Sequence, residues 1–136
     1  MQSKLKLKIP AYNLQEVLIV LIIIGILLLL ALPNLMPVIA KAKSIEAQTQ
    51  LKHIYNSQTS YMYMYSKYSD DLNELDFIAP KTIKEEGTAN YIYEILSTSD
   101  NSFKARATAI TDFNGNGVYN VWEIDENGNP KQIIKD

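Results

Sequence analysis

The stretch Ala11-Tyr12-Asn13-Leu14-Gln15-Glu16 runs directly into VLIVLIIIGILLLLAL, residues 17–32, and this junction decides the fold. Sixteen residues follow Glu16 with only Gly25 and Ala31 as small breaks. Continued through Pro33 to Ala40, the segment is long enough to cross a bilayer, which takes about 20 apolar residues. Lys4, Lys6 and Lys8 precede it and no acid lies before Glu16, so the positive-inside rule keeps the N-terminal side in the cytoplasm and exports the rest. A cleavable secretory signal does not fit, because no small-x-small site free of nearby proline follows the apolar run. A plain anchor leaves Glu16 unexplained: a carboxylate at the membrane edge is costly unless paired, and points to a function.

Composition sets further bounds. The 136 residues carry a net charge of −2, or −5 once residues 1–11 with their three lysines are set aside. That balance argues against nucleic acid as the main partner. There is no cysteine, so a small exported domain has no disulfide to staple it. A part of this size has a marginal core of its own and leans on a helix, a metal or neighbouring subunits. A Ser-His-Asp set, a phosphate-binding loop and metal-hydrolase spacing are all missing from the sequence, so an enzyme is not expected.

Beyond Glu16 few residues oppose a helix until about Tyr65, apart from Pro33 and Pro37, where a kink or local unwinding is expected. Past Lys41 the pattern turns amphipathic. Leu51, Ile54, Gln58, Tyr61, Tyr65 and Tyr68 recur at spacings of three and four, a stripe expected to face the C-terminal domain. The tyrosines and methionines of residues 61–68 are expected to pack on a sheet rather than form a stacked path for electrons or single-stranded nucleic acid. His53, the lone histidine, is expected on the stalk surface or at an interface.

After a turn and a short helical piece at 68–75, residues 89–97, 102–110 and 117–125 read as strands, with Tyr91, Tyr93 and Ile95 alternating in the first. Asn127-Gly128 is a strong hairpin signal, and Lys131 to Ile134 form a last short strand. The fold class is therefore α+β, a long N-terminal helix on a small antiparallel sheet.

One loop suggests metal chemistry. Asp112-Phe113-Asn114-Gly115-Asn116-Gly117-Val118-Tyr119-Asn120-Val121-Trp122-Glu123 matches the calcium-loop template D-x-[DN]-x-[DN]-G-x5-E throughout. Asp112, Asn114 and Asn116 offer side-chain oxygens at alternate positions, Gly117 permits a sharp turn and Val118 offers its carbonyl. In a strand Glu123 and Asp125 share a face, so Glu123, Asp125 or a backbone oxygen closes the shell. The alternative is an Asn/Gly-rich hairpin without metal.

The pattern of small residue, aromatic, x, Leu, x, Glu and apolar helix resembles the class III signal of type IV prepilins and type II secretion pseudopilins. Residues 8 to about 60 carry the likeness, with Gly25 and Pro33 matching and Ala11 and Asn13 standing where glycine and threonine are commoner. The resemblance implies that a prepilin peptidase cuts between Ala11 and Tyr12, leaving Tyr12 as an N-methylated first residue. It implies that Glu16 pairs with the N-terminal amine of a neighbouring subunit during filament assembly. It further implies a leader at 1–11, a transmembrane and polymerisation helix at 12–40, an amphipathic stalk at 41–68 and a β-rich domain at 69–136. The expected partners are identical subunits, the peptidase, an inner-membrane assembly platform and, before assembly, membrane lipid. The expected location is the inner membrane, then a filament outside it. The function implied is a structural filament subunit, either a pilin or the major pseudopilin of a type II secretion system; a membrane-anchored calcium module that never polymerises is the remaining alternative.

Overall fold

A computed structural model describes residues 13–136. The cleavage and methylation positions, Ala11 and Tyr12, lie outside the described residues. Helix α1 covers Leu14–Tyr65 and continues through Pro33 and Pro37, each of which lacks the N–H its turn would otherwise donate. The chain divides into two compact units, the first ending at Leu35 and the second covering Met36–Asp136. The first unit is the apolar part of α1. Leu14–Pro33 is long and apolar enough to cross a membrane, and none of that span is buried by the chain itself.

In the second unit, the remainder of α1 follows a seam with alternating spacings of four and three. Ala40, Ser44, Ala47, Leu51, Ile54 and Gln58 are all buried. This repeat keeps one face of a helix on its partner surface. The seam begins earlier than the stripe read from the sequence and ends sooner. Tyr61 and Tyr68 pack against the core, but Tyr65 is 58% exposed, because α1 ends there and Ser66 turns the chain away with a φ of 57°. Tyr63 and Met64 are exposed as well, so half of the aromatic run faces solvent. His53 is exposed and sets its ring edge-on to Phe77 at 5.5 Å.

Four strands form one antiparallel sheet in the order β1-β2-β3-β4: β1 Tyr91–Thr98, β2 Phe103–Ala109, β3 Val121–Asp125 and β4 Lys131–Ile134. Alternation places Tyr91, Tyr93, Ile95, Phe103, Ala105, Ala107, Ala109, Trp122 and Ile124 on the core side. The three alanines of β2 leave room for a helix to approach the sheet closely. Gly128 closes the β3–β4 hairpin with a φ of 77° and an N–H bonded to the Asp125 carbonyl at 3.0 Å.

The segment between α1 and β1 departs from expectation. Residues 71–76 form successive turns instead of a helical piece, and the one short helix there is a 3₁₀ turn at Ile83–Glu85. Thr82 nucleates it: the Glu85 carboxylate accepts the Thr82 N–H and hydroxyl, both at 3.1 Å.

Candidate functional site

Two places carry the residues singled out by the sequence, one in each unit. At the start of α1, Asn13 is the N-cap, and its Oδ1 accepts the Glu16 N–H at 3.3 Å. An Asn cap with Glu three residues later satisfies an orphan amide and sets an acid in the first turn, where the helix dipole favours negative charge. The capping role of Asn13 was legible as the spacing Asn-x-x-Glu and is the feature sequence reasoning missed there. Glu16 is exposed, and the side chains that follow it, such as Leu21, Ile22, Leu29 and Leu30, are each more than half exposed. A continuous apolar surface of this extent marks a membrane or protein contact.

The second place is the loop between β2 and β3. Phe113 is its anchor: only 8% exposed, it meets Tyr91 edge-on at 5.9 Å, and its N–H donates to Asp136 Oδ2 at 2.6 Å. Around that anchor the loop folds on its own side chains. Asp112 Oδ1 accepts the N–H groups of Asn114 at 3.1 Å and Gly115 at 2.7 Å, and its Oδ2 accepts that of Gly117. Asn114 Oδ1 accepts the Asn116 N–H at 2.9 Å, and Asn116 Oδ1 accepts the Val118 N–H at 2.7 Å. Gly115 and Gly117 both take a φ of 82°, the left-handed region where a side chain is strained. Burial pushes the Asp112 carboxyl up, but the amides of Gly117, Gly115, Asn114 and Asn116 outweigh it and hold its pKa below the ordinary value.

The first three side-chain oxygen donors of the calcium template each cap the backbone turn that follows them. The two candidate closing carboxylates have partners of their own in the sheet. Glu123 lies in β3 opposite Arg106 of β2, and its Oε1 accepts Arg106 Nη2 at 2.6 Å and Nε at 3.0 Å, with Lys104 Nζ 4.0 Å from Oε2. Asp125 Oδ1 accepts the Asn127 N–H at 2.9 Å in the hairpin. Among the described residues no three His, Asp or Glu side chains come together to hold a metal. Asp112, Asn114 and Asn116 are the side-chain oxygen donors this loop offers, and an ion there would have to draw its remaining oxygens from backbone or water.

Two fastenings escaped sequence reasoning because they join residues distant in the chain. Glu46 on α1 accepts both the backbone N–H of Asn90 at 3.0 Å and its side-chain amide at 3.1 Å, fixing the entry to β1. Asn120, 1% exposed before β3, donates to Ser44 Oγ at 2.8 Å and accepts from Gln132 at 3.3 Å.

No family model matches the chain. A segment of 66 residues is 42% identical to the type IV major pilin protein PilA of Myxococcus xanthus (strain DK1622). The match covers 48% of this chain and 30% of that protein, so the chain spans less than a third of the length of the curated relative it matches. In its long apolar helix and small antiparallel sheet, and in the matched segment, the chain is similar to a type IV major pilin.

Proposed function

We propose that the chain is the repeating structural subunit of a type IV pilin-like filament. The observation that carries this reading is the bare apolar segment Leu14–Pro33, headed by a capped helix turn that presents Glu16. Such a segment rests stably in lipid or against copies of itself, and in either place its backbone is satisfied internally. Before assembly the segment holds the protein in the inner membrane; afterwards it packs in the filament core outside it. A peptidase cut between Ala11 and Tyr12 would create a positive amine on Tyr12, the position of N-methylation. Glu16 of one subunit then takes the amine of the next. A carboxylate and an ammonium are each costly in an apolar medium, and pairing them offsets the cost only in the correct register. An assembly platform in the inner membrane supplies the extraction step. Support comes from the match to a major pilin, itself named a type IV pilin protein.

We propose also that Asp112, Asn114 and Asn116 take a calcium ion, whose chemistry here is structural bracing of the loop. Phe113 and Gly117 orient those donors: the one pins the loop to the core and the other allows the turn.

Deleting the chain and imaging the cell surface tests the filament reading. Loss of surface fibres is the expected result; loss of protein secretion with fibres intact would assign the chain to a pseudopilus. N-terminal sequencing of the assembled protein, expected to begin at Tyr12, tests the processing step.

A further inference from the structure

The outer face of the sheet carries two rows that cross all four strands. Register places Glu94, Arg106, Glu123 and Lys131 side by side, so the charge alternates negative, positive, negative, positive from β1 to β4. The adjacent row is Ile92, Thr108, Val121 and Ile134. The central pair of the charged row is closed by the Arg106–Glu123 bond of 2.6 Å. The outer members, Glu94 and Lys131, are exposed, and each sits on an edge strand. The two edges also bear exposed aliphatic side chains, Ile92 at 53% and Leu96 at 38% on β1, Ile133 at 51% and Ile134 at 45% on β4. Beside β4 a cavity of about 390 Å³ opens toward α1, lined by Pro37, Lys41, Ser44, Gln132 and Lys135, so that flank is not closed by the chain's own atoms.

We propose that a second copy of this chain lies with its β1 edge along β4 of the first, setting Lys131 opposite Glu94 and Ile133 opposite Ile92. This rests on the filament reading above and deepens it. Strand direction is right for it. Each neighbouring pair in the sheet is antiparallel, so β4 runs opposite to β1, and a copy of the same polarity offers its β1 antiparallel to β4. With Lys131 opposite Glu94, antiparallel counting brings Ile133, the extra residue at the register shift of β4, and its neighbour Ile134 level with residue 92, so a salt bridge and an aliphatic contact form together. The charge alternation then continues unbroken from one copy to the next, and opposite charges facing across strands stabilise while like charges repel. The reverse registers set Lys131 beside apolar residues. Because β1 and β4 are different surfaces, the contact is heterologous, and it propagates rather than closing on itself as a twofold contact does. It also covers the two edges that an isolated sheet leaves open to unspecific pairing.

The test uses filaments of the full chain carrying Glu94→Cys together with Lys131→Cys. The natural sequence has no cysteine, so any disulfide involves these two positions. Opposed residues have Cβ atoms about 4.5–5.5 Å apart, near disulfide geometry. Within one chain the two positions are three strand spacings apart, roughly 14 Å, so the bond has to join two copies. Mild oxidation of sedimented filaments should give a ladder of dimers, trimers and longer species on a non-reducing gel, and neither single-cysteine variant should extend beyond a dimer. Normal filaments without a ladder overturn the contact and leave the filament reading standing. A wild-type chain that forms no sedimentable filament overturns both. Should the double cysteine variant fail to assemble, charge reversal decides: Glu94→Lys or Lys131→Glu alone should lower filament mass by about twofold to fivefold, and the two together should restore it. A double reversal that restores nothing overturns the contact.

Discussion

The Gln58 side-chain amide spends both of its hydrogen bonds on one residue, Ser69: Nε2 donates to the Ser69 carbonyl at 2.7 Å, and Oε1 accepts the Ser69 N–H at 2.9 Å. Gln58 is fully buried on α1, and Ser69 is 2% exposed in the turn that follows the helix. The pair ties the chain back onto the helix it has just left. Replacing Gln58 with leucine keeps the volume and strands two buried backbone groups, each costing about 1–3 kcal/mol. Gln58→Leu should therefore lose roughly 2–6 kcal/mol, read from urea denaturation in detergent. An unchanged midpoint would show that water replaces the amide at no cost.

Gln58 also shows how far sequence reaches. Its place on the seam was legible from the spacing of Leu51, Ile54 and Gln58, because helix periodicity is local. Its partner was not, since nothing in the residues around Ser69 marks which buried amide they meet. The same boundary runs through the β2–β3 loop. The turn-forming series Asp112, Asn114 and Asn116 is local chemistry, and it forms the nested turns expected of it. The role of Glu123 depends on strand register, which pairs it with Arg106, and register is fixed by the whole sheet. Tyr65 kept the helical spacing but falls where α1 ends, so it meets Tyr61, ring centroids 4.5 Å apart, and stays 58% exposed.

Gly87 occupies a place no other residue fits. A Cβ there would overlap the Lys81 carbonyl, and the Gly87 N–H donates to the Thr82 carbonyl at 2.8 Å. Backbone on both sides cannot yield as a flexible side chain would. Gly87→Ala should cost about 1–3 kcal/mol and release the 3₁₀ turn. Faster proteolysis between Lys81 and Asn90, with the rest of the domain intact, is the expected signature.

Glu16 gives the sharpest separation between anchoring and assembly. Glu16→Gln keeps the shape of the first helical turn and removes only the charge, so membrane insertion should be unchanged. Removing one partner of a buried pair costs about 3–5 kcal/mol, and every subunit in a filament would bear it. Sheared filament yield should fall by at least about tenfold while the membrane pool of the protein stays constant. Wild-type fibre yield from this variant would remove the pairing from the mechanism.

Asp112 ties the stability of the loop to pH and, under the proposed calcium site, to the ion. Its folded pKa is depressed by the surrounding amides, so the stability it contributes is fully present above the ordinary aspartate range and is lost as pH falls through the lowered folded value. Asp112→Asn should therefore destabilise the domain at neutral pH and narrow its difference from wild type in acid. Calcium bound to the folded state alone raises the melting temperature in proportion to its concentration above Kd, and the same substitution should abolish that rise. Superimposable melting curves with calcium and with chelator would rule out a stabilising ion at this loop.

Tyr93 provides a test at the opposite end of the pH scale. Its hydroxyl oxygen is buried without a hydrogen-bond partner, and burial, aided by the charge of Glu46, raises its pKa above the ordinary tyrosine value. A neutral tyrosine is compatible with the fold and a tyrosinate is not. The unfolded chain ionises first as pH rises past the ordinary value, so stability is intact below that point and drains away between it and the raised folded pKa. Tyr93→Phe removes both the orphaned hydroxyl and the titration. At neutral pH it should be neutral or stabilising by up to about 1 kcal/mol, and the alkaline loss of stability should become shallower. The ring stays, so its edge contact with Phe77 at 5.6 Å is retained and packing does not obscure the result. A clear loss of stability at neutral pH would mean that the hydroxyl has a hydrogen-bond partner such as an ordered water.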